Sequence, residues 1–218
     1  MSYYTLVASL PHLPKTFDVE YPPISRRSLQ ARLAMLREDD AATLRQLQDF
    51  LEWERQPADR TDGEVVAEYR RIRTEVRNEL VLRLIDHRLG VRTIVSAIRR
   101  RRMGLGPPPG VGPLTTIIRR RFDQPQFGLE RAHPWIEGFE RCLLTGDAVG
   151  GERLLYEQTW HHWWRLAADY TFSFEAVLLY LARWTILERW TTRDAEAGRR
   201  RFETLMQETL GERDPFPH

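Results

Sequence analysis

Among the 218 residues there is one cysteine, Cys142, and one lysine, Lys15. A single cysteine excludes an internal disulfide framework and any cysteine-based zinc site, and it suits a reducing compartment. The lysine stands between Pro14 and Thr16, in no P-loop. Nucleotide hydrolases that cradle phosphate with a P-loop lysine drop out, and so do lysine Schiff-base enzymes. Long apolar runs are missing too. The longest stretch without a charge, residues 103–118, holds four glycines and four prolines. A membrane-spanning helix needs about 20 mostly apolar residues free of such breakers. The opening MSYYTLVASLPHLPK has no charged segment ahead of its short apolar stretch, so it makes a poor signal peptide. These absences predict a cytoplasmic protein, at most peripheral to a membrane.

What is present is globular and rich in arginine. Hydrophobic residues at 42% and charged residues at 29% suffice for one ordinary domain or two small lobes. The formal charge is only +2, and all but one of the 33 basic residues are arginine. GC-rich coding alone produces such a preference, so the distribution says more than the total. Between Asp86 and Asp123 no acidic residue occurs, yet nine arginines do: Arg88, Arg92, Arg99, Arg100, Arg101, Arg102, Arg119, Arg120 and Arg121. The remainder of the chain has more acidic than basic residues. A basic middle on an acidic body reads as an electrostatic docking surface for phosphates, anionic lipid headgroups or an acidic protein partner. Aromatic residues are not interleaved with it, which argues against a single-strand stacking platform.

The periodicity is helical. Leu44, Leu47 and Leu51, with Phe50 beside them, predict a helix over residues 43–56, with Asp39 or Asp40 as its N-cap. A longer pattern starts at Thr61 or Asp62 and sets Val66, Tyr69, Val76, Leu80 and Leu84 on one stripe. It extends to Arg102, with Gly90 as the expected kink. The following GLGPPPGVGP cannot continue a helix, because proline lacks the amide donor and clashes with the preceding turn. Beyond it, a helix is expected over residues 134–144. Tyr156, Trp160, Trp163, Ala167 and Tyr170 then recur at steps of four and three as a core stripe. Ser173 should cap a helix to Trp190 that is apolar nearly all round and therefore central to its lobe. A last helix is expected over residues 194–210, with Gly211 as its C-cap. Residues 3–10 fit either a strand or a short helix closed by Pro11. The expected fold is all-α: two packed, bundle-like lobes, 1–103 and 114–218, joined by the Gly/Pro-rich linker 104–113.

No arrangement of residues points to catalysis. Glu130 and His133 have the Glu-x-x-His spacing of di-iron bundles, but such sites need a second pair and two more glutamates. Pro134 also disfavours helical backbone at His133. Glu157, His161 and Arg165 share a helix face, where the arginine would repel a cation; a solvated ion-pairing face explains them. A helical metalloenzyme built on Glu130, His133, Glu157 and His161 is thus the weakest reading. No serine sits in a G-x-S-x-G elbow. The prolines within residues 104–113 remove the amides that would cradle phosphate. The expectation is no catalytic residue, no metal, no cofactor and no small-molecule substrate.

Two segments carry a family likeness. The opening YYTLVASLPHL, followed by Pro22–Ser25, resembles the start of a small bacterial family associated with V-type (A/V-type) ATPases. FSFEAVLLYLARWTILERW, residues 172–190, resembles that family's carboxy-terminal signature, with Gly198 and Phe202 at the expected distance. Its core positions here are Phe174, Leu178, Leu181, Trp184, Leu187 and Trp190. The resemblance implies a non-catalytic subunit, a reduced counterpart of the all-helical C/d subunit, which couples the central stalk to the membrane proteolipid ring. Its partners would be those subunits. Its place would be cytoplasmic, peripheral to the inner membrane, with contact to the membrane surface. The alternative from another class is an Arg-rich helical protein that binds nucleic acid or regulates.

Overall fold

The computed structural model describes the backbone of residues 3–51 and 62–211, and the side chains of residues 3–50 and 63–193. Among the described residues every regular element is helical, as the 3.6-residue periodicity predicts. In chain order these are α1 (Tyr4–Ser9), α2 (Arg26–Leu33), α3 (Glu38–Leu51), α4 (Asp62–Glu75), α5 (Glu79–Arg102), α6 (Pro113–Arg120), α7 (Trp135–Thr145), α8 (Ala148–Ala167) and α9 (Phe174–Gly211). None of the described helices is long and apolar enough to cross a membrane.

Local chemistry sets the boundaries. The stretch at residues 3–10 is helical, not a strand. Glu38, Asp39 and Asp40 all fall in the first turn of α3, where the positive end of the helix dipole favours them. The long stripe through Val76, Leu80 and Leu84 is interrupted at residues 76–78, not at Gly90. Asn78 takes an extended conformation there, and its side chain accepts the Val81 amide at 3.1 Å, capping α5. Gly90 stays inside α5 for a packing reason: a Cβ there would meet Leu114 Cδ1 at 3.1 Å. Ser173 caps α9, its hydroxyl accepting the Ala176 amide at 3.4 Å. No proline or glycine follows Trp190 until Gly198, so the two helices expected over 173–190 and 194–210 are one 38-residue helix. The side chains of Gly198 and Phe202 lie outside the described residues.

The chain forms two compact units, Met1–Arg32 with Trp160–His218, and Leu33–Thr159. The Gly/Pro stretch 104–113 therefore lies within the second unit, where the sequence suggested a boundary. It ends α5 and returns along it: Arg100 Nε donates to the Gly106 carbonyl at 2.7 Å, and a Cβ on Gly110 would lie 3.5 Å from Thr93 Oγ1. Gly112 then takes φ 103, which admits Pro113 at the start of α6. Proline stops a helix without stopping the chain from packing.

In the first unit the core is α9 with the opening segment. Val177, Leu178, Leu179, Leu187 and Trp184 are buried, together with Leu6, Phe17, Ile24 and Leu29. Phe17 sits with its ring centroid 6.4 Å from that of Trp160 and edge-on to Trp190 at 5.2 Å. Three indoles donate to one irregular segment. Trp160 reaches the Lys15 carbonyl at 3.0 Å, Trp184 the Ile24 carbonyl at 2.9 Å, and Trp190 the Asp18 carboxylate at 3.1 Å. In the second unit Ile94, Ala97 and Ile98 of α5 pack with Ile118, Phe122, Phe127, Leu129, Ile136 and Phe139.

Candidate functional site

The nine arginines of the basic middle all belong to the second unit, and the fold separates them. Arg88 and Arg92 are exposed along α5, while Arg99–Arg102 end it. At about 1.5 Å per residue, Arg88 stands roughly 20 Å along the helix from Arg102. Arg119 and Arg120 end α6, followed by Arg121. The two clusters meet because α6 runs back beside α5: Arg101 Nη1 donates to the Phe122 carbonyl at 3.4 Å and the Gln124 carbonyl at 2.9 Å.

Five of the nine hold the unit's own backbone. Arg101 does most: besides those carbonyls it pairs with Glu140 and lays its guanidinium 4.5 Å from the Phe127 ring centroid. Arg102 donates to the Leu143 carbonyl, Arg100 to Gly106, Arg119 to Pro108 and Arg121 to Gly128. These carbonyls lie outside the interiors of the α-helices, in turns, in the Gly/Pro stretch and in the last turn of α7. Arg99, Arg102, Arg119, Arg120 and Arg121 are exposed, whereas Arg101 is half-buried. Arg101 and Arg100 are thus half-buried structural ties, while Arg102, Arg119 and Arg121 hold a carbonyl from an exposed position and Arg99 and Arg120 face outward.

The bonds also gather apolar side chains that charge counting passes over. Met103 is 69% exposed and Leu105 43%, immediately after α5. Because Arg102 holds Leu143, the end of α7 lies beside the end of α5, and there Leu144 is 73% exposed. Gly146, at φ 74, turns the chain from α7 into α8. The signal that would have found the patch is the coincidence of arginine with uncharged, helix-breaking sequence at residues 103–107.

The other sequence candidates remain apart. Glu130 is exposed, and His133 is half-buried in the turn before α7, where burial lowers its imidazole pKa from the ordinary 6.5. Glu157, His161 and Arg165 are exposed along α8. Among the described residues no group of three His, Cys, Asp or Glu side chains is placed to hold a metal. A polar linkage elsewhere joins α4 to α5: the Tyr69 hydroxyl donates to Asp86 at 2.7 Å, and Arg73 pairs with the same carboxylate at 3.2 Å. Burial, followed by that bond, pushes the phenol up to about 12. The six signature positions Phe174, Leu178, Leu181, Trp184, Leu187 and Trp190 are all buried in the first unit, consistent with packing sequence.

The family described as "Protein of unknown function (DUF2764)" matches residues 2–212. The chain belongs to this family. No curated protein and no solved structure matches it. The match runs through both units and through the Gly/Pro stretch between α5 and α6, so the whole arrangement described above is family sequence.

Proposed function

We propose that this protein is a non-catalytic subunit of a V-type (A/V-type) rotary ATPase, coupling the central stalk to the membrane proteolipid ring. One observation carries the reading. The two stretches that resemble the ATPase-associated family, far apart in the chain, come together in one unit. The Tyr3 amide donates to the Phe172 carbonyl at 2.6 Å, and the Tyr4 and Phe172 rings lie 4.7 Å apart. Trp184 donates to Ile24, and Arg26 pairs with Glu188 through two bonds of 2.8 and 2.7 Å. Segments selected by likeness alone thus form a single packed element, as expected of a shared fold. A part that passes torque needs stiff helices held across long sequence distances, and α9 with the opening segment supplies them. In this reading the protein is cytoplasmic and peripheral to the inner membrane. The nucleic-acid alternative draws less support, because no aromatic residue is interleaved with the basic stretch to stack on a base.

Affinity capture of the tagged protein from detergent-solubilised native membranes tests this. The expected companions are the nucleotide-binding subunits, the central stalk and the proteolipid ring together. Capture of nucleic acid, or of no ATPase subunit, overturns the assignment.

A further inference from the structure

We infer that one end of the second unit docks on an anionic lipid bilayer, with its arginines on the headgroups and Met103, Leu105 and Leu144 in the interfacial layer. That end is where α5, α6 and α7 all finish. It presents Arg99 and Arg120, exposed and outside the set that holds backbone carbonyls, together with the exposed apolar side chains of Met103, Leu105 and Leu144. Arg102, Arg119 and Arg121 are exposed there too, each with a nitrogen on a carbonyl of the chain and the rest of its guanidinium left to the surface. The segment between the two arginine clusters carries no charge from Met103 to Ile118. Its outermost part, residues 103–107, is exposed throughout. Arg100 and Arg102 brace this tip by holding the Gly106 and Leu143 carbonyls, so the apolar side chains are presented by fixed backbone.

Charge complementarity names the occupant. The carboxylates of that end are Asp123, Glu140 and Asp147. Glu140 is paired with Arg101, and Asp147 accepts the Gly150 amide at 2.8 Å, capping α8. Basic charge therefore prevails, which selects an anionic surface. Nucleic acid is anionic too, but it offers aliphatic side chains nothing comparable to an acyl layer, and the tip holds no aromatic ring to stack on a base. An anionic bilayer satisfies both halves of the patch at once, and basic residues bordering exposed apolar ones is the pattern of interfacial binding. The inference stands apart from the rotary-ATPase reading, because its test requires no other subunit.

The test is flotation of the purified full-length protein with phosphatidylcholine vesicles, with and without phosphatidylglycerol, at low and at physiological salt. The expected result is binding to the phosphatidylglycerol vesicles alone. The double variant Met103→Asp/Leu105→Asp should weaken it about tenfold or more through lost apolar burial. Arg99→Glu/Arg120→Glu should weaken it at least about tenfold through lost headgroup attraction. Both pairs are exposed, and unchanged thermal melts will confirm that the variants fold. Absence of wild-type binding at low salt overturns the inference. So does binding that resists Met103→Asp/Leu105→Asp, since the apolar tip would then take no part. Tighter binding to a single-stranded RNA than to the vesicles, insensitive to the same tip variant, would assign the surface to nucleic acid instead.

Discussion

The indole N–H groups of Trp160, Trp184 and Trp190 all find acceptors between Lys15 and Ile24, a segment with no regular structure of its own over most of its length. A buried carbonyl in such a segment has no ladder to enter, and losing its one donor leaves a desolvated acceptor. Trp184→Phe keeps a ring in place but removes the N–H, so it should cost about 1–3 kcal/mol in urea unfolding. Trp184→Ala adds a cavity and should cost about 3–5 kcal/mol. A loss under about 1 kcal/mol in both would mean that this indole does not fasten the segment. Tyr180 makes the opposite test. Its hydroxyl is buried without a partner among the described residues, and burial raises its pKa to about 12. Tyr180→Phe should raise stability by about 1 kcal/mol, read from the shift in urea midpoint. The sequence shows that these aromatics are core, because their spacing is helical. It hides what their polar atoms touch, since a carbonyl acceptor can belong to any residue type.

At the scale of the element, the instructive case is α5, 24 residues long and buried along much of its length. Its start rests on Asn78, which satisfies one of the otherwise orphaned first-turn amides. Asn78→Ala should destabilise the protein by about 1 kcal/mol, measured by chemical denaturation, while Asn78→Asp should hold it near wild type. Equal losses in the two variants would show that the cap contributes nothing. An asparagine just before an apolar run is a legible start signal, yet the stripe of Val76, Leu80 and Leu84 keeps helical phase across the break and masks it. Gly90 misleads in the other direction. Its propensity suggests a kink, but α6 approaches there and Leu114 occupies the space a Cβ would need. Helix type was thus readable from spacing, whereas helix limits depended on contacts between elements. The exposed patch at the ends of α5 and α7 follows the same rule: its arginines stand out in the sequence, and Leu144 joins them through the bonds that Arg101 and Arg102 make to α7.

For the whole molecule, the division into Leu33–Thr159 and the two chain ends is the feature least visible in the sequence. The Gly/Pro stretch offered an obvious break, but the real partition depends on pairings more than 140 residues apart, such as Trp160 with Lys15 and Arg26 with Glu188. No local composition marks such pairings. A firm prediction follows from them. Deleting residues 1–25 removes Phe17, Ile24 and all three indole acceptors, so the tryptophan emission should shift to the red and the first unit should lose cooperative unfolding. Far-UV helicity from residues 33–159 should persist. An unchanged emission maximum and melt in the deletion variant would refute this account of the first unit's core.

The same topology orders events during synthesis. Residues 33–159 form a contiguous segment, so the internal partners of that unit are all present as soon as it leaves the ribosome. The first 32 residues emerge earlier but must wait for Trp160 of α8 and then for α9 before Phe17 and Ile24 meet the tryptophans that pack on them. A nascent chain stalled short of Trp190 would therefore carry one finished unit and one unpaired apolar leader.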